Sequence, residues 1–278
     1  MKFQLHAINA QSTFEACAVM DVNRDGKLDV VCGGFWYEAP DWKKHFVREV
    51  EKLGNPPNYD GYSHLELDVN GDGWTDVINV NWRSGSIFWI EHPGAGLGEW
   101  KKHLVATPGP METGRLYDID GDGRPDVLPR GGNFSAWWEL LPGKPSEEPK
   151  WARHDLPKEA SGHGGGFGDI NGDGRPDIIG PNGWLEAPVD RRKGEWIWHP
   201  EFDLGAASIP VIVADVDGDG DADIVWSLGH DYGTFWLEQV KEGGKRAWKK
   251  HLIDDSWSVG HSPLWVDFDQ NGVPEFVN

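Results

Sequence analysis

The stretch Asp169-Ile-Asn-Gly-Asp-Gly-Arg-Pro-Asp177, followed at once by Ile178-Ile179-Gly180, decides the fold, because five further copies share its frame. They occupy residues 21–29 (DVNRDGKLD), 68–76 (DVNGDGWTD), 118–126 (DIDGDGRPD), 215–223 (DVDGDGDAD) and 267–275 (DFDQNGVPE). Each sets oxygen-bearing side chains at loop positions 1, 3, 5 and 9 and glycine at position 6. A hard cation such as Ca²⁺ takes about six to eight oxygens, and a short loop supplies them only if the backbone turns sharply at a glycine. An EF-hand opens in the same way, but its bidentate Glu stands at about position 12 and helices flank it. Here position 9 is acidic and a β-type run follows: DVV, DVI, DVL, DII, DIV, EFV.

The expected Ca²⁺ ligands are Asp21, Asn23, Asp25 and Asp29; Asp68, Asn70, Asp72 and Asp76; Asp118, Asp120, Asp122 and Asp126; Asp169, Asn171, Asp173 and Asp177; Asp215, Asp217, Asp219 and Asp223. The sixth set is Asp267, Asp269, Asn271 and Glu275, and its departures at positions 5 and 9 predict a weaker site.

The first Asp of each loop falls at 21, 68, 118, 169, 215 and 267, giving spacings of 47, 50, 51, 46 and 52 residues. A period of this size with four short strands per unit predicts an all-β β-propeller of four-stranded blades. Strand A leads into each loop and strand B leaves it. Strand C ends in a recurrent acid (FWYE38, FWIE91, AWWE139, GWLE186, FWLE238), and strand D carries a recurrent histidine after Trp42, Trp100, Trp151, Trp196 and Trp248. With no helical periodicity and no linker, residues 1–278 read as one domain. Residues 3–8 have the register of a strand D and are expected to close the ring, while the sixth repeat stops after a strand B. An incomplete sixth blade and a native ring of seven blades both remain open.

The formal charge of −20 reflects the loops, whose liganding positions hold twenty carboxylates. Six bound Ca²⁺ would leave roughly −8, ordinary for a soluble protein, so the acidity does not indicate a basic partner. No nucleic-acid partner is expected. No stretch is long enough to insert in a bilayer, and no signal peptide is present. Loops of this kind suit millimolar Ca²⁺, so a secreted or periplasmic location is expected. Cys17 and Cys32 flank the first loop on strands expected to pair, as two free thiols or as a disulfide.

These motifs resemble the FG-GAP/VCBS-repeat calcium-binding propellers, and the resemblance covers essentially the whole chain. The FWxE and WxxH strands together also resemble the propeller of aldos-2-ulose dehydratase-like proteins, which implies metal-dependent sugar dehydration. Fold kinship alone does not carry an activity.

Subtracting the repeat isolates candidate site residues. Ten of the seventeen tryptophans (Trp36, Trp89, Trp138, Trp184 and Trp236 on strand C, with the five on strand D) hold repeat positions and are assigned to packing. Trp82, Trp226 and Trp257 fall outside the register and could serve loop packing or ligand contact. His45, His103, His154, His199 and His251 recur on strand D, are matched by His6, and are expected to pair with the strand-C acids. His92, in an HPG turn, reads as a surface residue. His163 and His261 stand six residues before Asp169 and Asp267, His230 lies in the B–C turn of the fifth repeat, and His64 lies near the start of strand A in the second.

Calcium loops join A to B, so these four histidines belong to the opposite rim. His163, His230 and His261 form a candidate site for Zn²⁺ or another divalent transition metal acting as a Lewis acid; unrelated surface histidines in glycine-rich loops are the competing reading. Candidate substrate contacts are Glu15 and Glu112 at the same −6 position, with Arg83, Arg130, Asn133, Asn182, Asp231, Trp82 and Trp257. His64 and Tyr232 are candidate bases. The implied function is a carbohydrate lyase or dehydratase acting by β-elimination on a keto-sugar or uronic-acid glycoside. The alternative is an adhesion or glycan-binding module with structural calcium.

Overall fold

The computed structural model describes residues 4–145 and 147–278. Blade one is the antiparallel meander β1 (Cys17–Met20), β2 (Asp29–Cys32), β3 (Phe35–Glu38) and β4 (Lys43–Phe46), followed by a two-residue pair, β5 (Lys52–Leu53) and β6 (Asn58–Tyr59). Blade two contains β7 (Ser63–Leu67), β8 (Asp76–Val80), β9 (Ile87–Glu91) and β10 (Lys101–Ala106). Blade three contains β11 (Thr113–Tyr117), β12 (Asp126–Arg130), β13 (Ala136–Leu140) and β14 (Trp151–Asp155), and blade four β15 (Gly166–Gly168), β16 (Asp177–Gly180), β17 (Gly183–Glu186) and β18 (Ile197–His199). Blade five contains β19 (Ile212–Ala214), β20 (Asp223–Ser227) and a long hairpin, β21 (Tyr232–Glu242) with β22 (Lys245–Ser258). Blade six has β23 (Leu264–Val266) and β24 (Glu275–Val277). These are β-propeller blades in the register the repeat predicts.

The described chain packs as two compact units. The first comprises residues 1–116, 124–129 and 138–153; the second comprises 117–123, 130–137 and 154–278. In the first, Met20, Val22, Val31, Trp36, Val77, Phe88, Ile90 and Trp100 form one buried cluster. In the second, Ile170, Ile179, Trp184, Leu204, Val211, Ile224 and Trp226 form another. Each large apolar side chain so buried contributes roughly 2–3 kcal/mol.

The recurrent residues explain why the blades repeat. Trp36, Trp89, Trp137, Trp184 and Trp236 each stack on the strand-D histidine of their own blade, with ring centroids 4.0–4.4 Å apart. In blade three this corrects the assignment from Trp138 to Trp137, which stands two residues before the strand-C acid as in the other blades. His45, His103 and His199 meet Glu38, Glu91 and Glu186 at 2.8–2.9 Å, and His251 meets Glu238 at 2.5 Å.

Several expectations change. Residues 4–8 form no strand, and Leu5 is 96% exposed, so the alternating pattern there lies over no sheet; Phe3 falls outside the described residues. His92 is buried rather than superficial. It stacks on Trp74 (4.7 Å), and its Nε2 lies 2.9 Å from the Val22 carbonyl. Trp226 is fully buried and donates to the Leu204 carbonyl, which makes it a core residue. Cys17 and Cys32 face each other across β1 and β2 as free thiols, the first exposed and the second buried. No helix among the described residues is long and apolar enough to cross a membrane.

Candidate functional site

Two kinds of site lie at opposite ends of the strands, and the A–B loops form the first. In five of them the position-1 carboxylate accepts the amide hydrogens of positions 5 and 6. Asp21, for example, takes Asp25 and Gly26 at 3.0 and 2.9 Å, and Asp169 takes Asp173 and Gly174 at 3.1 and 2.8 Å. The position-6 glycine has φ between +83° and +92° in all six, a conformation costly for any side chain but glycine. The position-9 acid has a second duty. Both oxygens of Asp29, Asp76, Asp177 and Asp223 accept backbone N–H groups, one from loop position 2 and one from the residue after the strand-C acid. This clips the loop to its blade. Burial pushes Asp76 up to about 7 and Asp177 up to about 6, and neighbouring loop carboxylates add to the shift.

Carboxylate oxygens of Asp118, Asp120 and Asp122, of Asp215, Asp217 and Asp223, and of Asp267, Asp269 and Glu275 lie within 4.8 Å of one another. This all-oxygen donor set fits a hard cation. The sixth loop has the same backbone bonds as the others, with Asp267 accepting Asn271 and Gly272 at 3.0 and 2.8 Å. Its expected weakness therefore rests on the neutral Asn271 at position 5 and the longer Glu275 at position 9, since its three carboxylates equal those of the first, second and fourth loops.

The second site, within the second unit, gathers three of the histidines that break the repeat. The ring centroids of His163 and His230 are 4.9 Å apart, those of His163 and His261 5.4 Å, and those of His230 and His261 5.2 Å. Each offers a ring nitrogen within 4.8 Å of the others'. The His163 Nδ1–H donates to the Ala207 carbonyl at 2.9 Å and the His261 Nδ1–H to the Val259 carbonyl at 3.2 Å. A carbonyl only accepts, so each Nδ1 carries a hydrogen and the neutral ring has its lone pair on Nε2, the arrangement usual for metal-binding histidines.

The loops are drawn together by backbone bonds, Gly229 N–H to Ala206 O (3.0 Å) and Gly260 N–H to Leu228 O (3.2 Å). Glycine is required at Gly229, because a Cβ there would come within 2.7 Å of the His163 ring and 3.1 Å of His261 Nε2. Arg130 is buried and donates to the Ala160 and Gly164 carbonyls, bracing the His163 loop; it is a positioning residue here, not a substrate contact. Burial lowers its pKa to about 10.

Around the triad, Asp231 and Tyr232 continue directly from His230, and Tyr232 is 62% exposed. Asn133 and Asn182 are exposed residues of the same unit. A cavity of about 490 Å³ lies beside His261, with Trp257, Val259 and Asn278 in its wall. Gly229 and the Ala207 and Val259 carbonyls escaped sequence reading, since only the fold shows what they touch.

Other candidates belong to the first unit. His64 is buried, its Nδ1 3.4 Å from the Val31 carbonyl, and burial with the nearby Arg48 charge lowers its pKa to about 4. That buried position does not suit a base working on a sugar at the rim. Glu15 is exposed and accepts from the Asn58 amide at 3.0 Å, Glu112 and Arg83 are half-buried, and Trp82 is 41% exposed.

Residues 68–128 and 215–277 match the FG-GAP-like repeat, and the chain carries such repeats. Among solved structures it is similar to an Agrocybe aegerita lectin described for specific recognition of non-reducing terminal N-acetylglucosamine. That similarity has 18% identity and a TM-score of 0.54 and covers 95% of this chain and 74% of the lectin. It is also similar to the exotype rhamnogalacturonan lyase YesX, with 13% identity and a TM-score of 0.51, covering 91% of this chain and 59% of the lyase. At these identities the likeness is one of fold. No curated protein sequence matches this chain.

Proposed function

We propose that this protein is a calcium-stabilised carbohydrate lyase or dehydratase whose reaction centre is the His163–His230–His261 cluster. The observation that carries the reading is the convergence of three imidazoles, two with Nε2 directed by carbonyl-bound Nδ1–H groups. Three nitrogens suit Zn²⁺ or a similar divalent ion, which acts as a Lewis acid on a carbonyl or hydroxyl oxygen. The adjoining cavity, with Trp257 in its wall, provides a place for a sugar ring. Tyr232, exposed next to the cluster in sequence, is the candidate that, as its phenolate, takes the proton α to the carbonyl. The electron pair of that C–H bond then forms the double bond as the β C–O bond breaks, and the phenol returns its proton to the departing oxygen, which leaves as water or an alcohol.

The A–B loops hold Ca²⁺ in this reading and serve stability, and a requirement for millimolar Ca²⁺ favours a secreted or periplasmic location. The carbohydrate class is supported by the lectin and lyase neighbours. The lectin, matched over the larger share of its own length, favours a second reading: a glycan-binding module with structural calcium alone.

Metal analysis after exhaustive exchange into Ca²⁺ separates the two. One retained transition metal per chain, lost in His163→Ala, supports the enzyme. Its absence in the wild-type protein, with no unsaturated product from keto-sugars or uronic-acid glycosides, leaves the binding module.

A further inference from the structure

Beside blade one, wholly within the first unit, is a cavity of about 420 Å³ walled by Phe14, Phe35, Tyr37, Trp42 and Tyr59, with Lys44 at its edge. We propose that it is a separate carbohydrate-binding site for an acidic sugar unit, a hexuronate whose ring lies against Trp42 and whose carboxylate pairs with Lys44. The proposal goes beyond the histidine site and does not depend on it.

Trp42 is the first indication. It occupies the strand-D position held elsewhere by Trp100 and Trp196, which are buried, and by Trp151 and Trp248, which are half-buried as it is, so its backbone rather than its exposure sets it apart. Trp42 is half-buried and lines the cavity, and it alone of the five strand-D tryptophans has a positive φ, +56°. A bulky residue in the left-handed region costs on the order of 1–3 kcal/mol, a strain that concentrates at ligand sites.

The remaining walls are fixed in advance. Phe14 lies flat on Gly33, where a Cβ would come within 2.1 Å of the ring, and its centroid is 4.4 Å from that of Tyr59. The Tyr37 hydroxyl accepts from Asn9 Nδ2 at 2.8 Å, and Asn9 Oδ1 in turn accepts the Gln11 amide hydrogen at 3.0 Å. Apolar faces with a few directed polar groups characterise small-ligand sites of this size, and a sugar ring presents C–H faces to the aromatics and hydroxyls to the polar side chains.

Charge selects the acidic sugar. Among the described lining residues Lys44 alone is charged, in a chain of net charge −20. Its ammonium lies 3.6 Å from the Phe35 ring centroid, held at the cavity without a carboxylate in the lining.

The test uses the full chain carrying His163→Ala, so that the histidine cluster does not contribute, with trigalacturonate and its methyl ester as probes in calorimetric titration. Trigalacturonate should bind at least tenfold more tightly than the ester. Trp42→Ala should abolish binding of both, and Lys44→Gln should equalise them while keeping the weaker binding. Leu104→Ala, an exposed side chain outside the cavity, should change neither. Because Trp42→Ala could disturb blade one, hydrogen exchange on the unsubstituted cavity provides an independent readout, with trigalacturonate protecting residues 8–14 and 42–44. Absence of binding, binding unaffected by Lys44→Gln, or protection elsewhere overturns the site, whatever the outcome at the histidine cluster.

Discussion

His64 and His92 in the first unit, and His163, His230 and His261 in the second, all stand outside the blade repeat, yet their surroundings are opposed. The first two are 6% and 2% exposed and lie against the main-chain carbonyls of Val31 and Val22. The other three approach one another to 4.9–5.4 Å between ring centroids, at a rim with exposed Tyr232 and an adjoining cavity. Departure from a repeat thus marks a residue the blade does not require, but not what it does instead. Convergence is what sets the three apart, and it depends on glycines such as Gly229 that let two rings approach one backbone.

The largest effect should come from breaking the convergent set. Alanine at His163, His230 or His261 should remove the transition metal and lower turnover at least 100-fold, while the melting temperature stays within about 2 °C, because the rings contribute little to either core. Metal content by mass spectrometry and product absorbance check this. Retention of metal in all three single variants would break the comparison.

Chelation probes the other end of the strands and should have the next largest effect. Loops with clustered carboxylates gain stability by mass action from a cation bound only in the folded state, so excess EDTA should lower the melting temperature by about 10 °C or more. An unchanged melt would refute structural calcium. Within this set, Asp173→Ala should destabilise more than Asn271→Ala, because from loops with the same backbone bonds the first removes a carboxylate and the second a neutral amide.

The loops and blades were legible in the sequence because both are made by repetition. Six copies fix the positions of the loop acids, and FWxE with WxxH fixes strands C and D; Trp137, masked by its neighbour Trp138, was misplaced, and residues 4–8 form no strand. The histidine cluster was legible by subtraction, since residues that break a repeat and share one rim are few. What escaped depends on depth and direction: the burial of His64 and His92, the inward use of Arg130, and the unusual backbone of Trp42 leave no periodic trace.

The strand-D histidines give the third contrast. His103→Ala leaves Glu91 without its 2.9 Å partner and Trp89 without its stacked ring, and should cost roughly 2 kcal/mol while metal and turnover persist. Denaturant titration measures the loss. Equal losses for His103→Ala and His163→Ala would erase the distinction between repeat and site.

The smallest effect concerns His64 and tests why one rim histidine became structural. Burial, then the Arg48 charge, hold its pKa near 4, below the ordinary value of 6.5. Between those values the unfolded chain binds a proton that the native protein does not, so stability falls as pH drops through the window from 6.5 towards 4. Above it His64 is neutral in both states and contributes no slope. The loss by pH 5.5 should be about 1 kcal/mol. His64→Gln keeps an amide donor for the Val31 carbonyl but cannot titrate, so its stability relative to the wild-type protein should improve by that amount between pH 7.5 and 5.5. The comparison cancels the titration of the acidic loops, which both proteins share. Parallel pH profiles would show that His64 is reached by solvent, and would return it to the candidate bases of the rim.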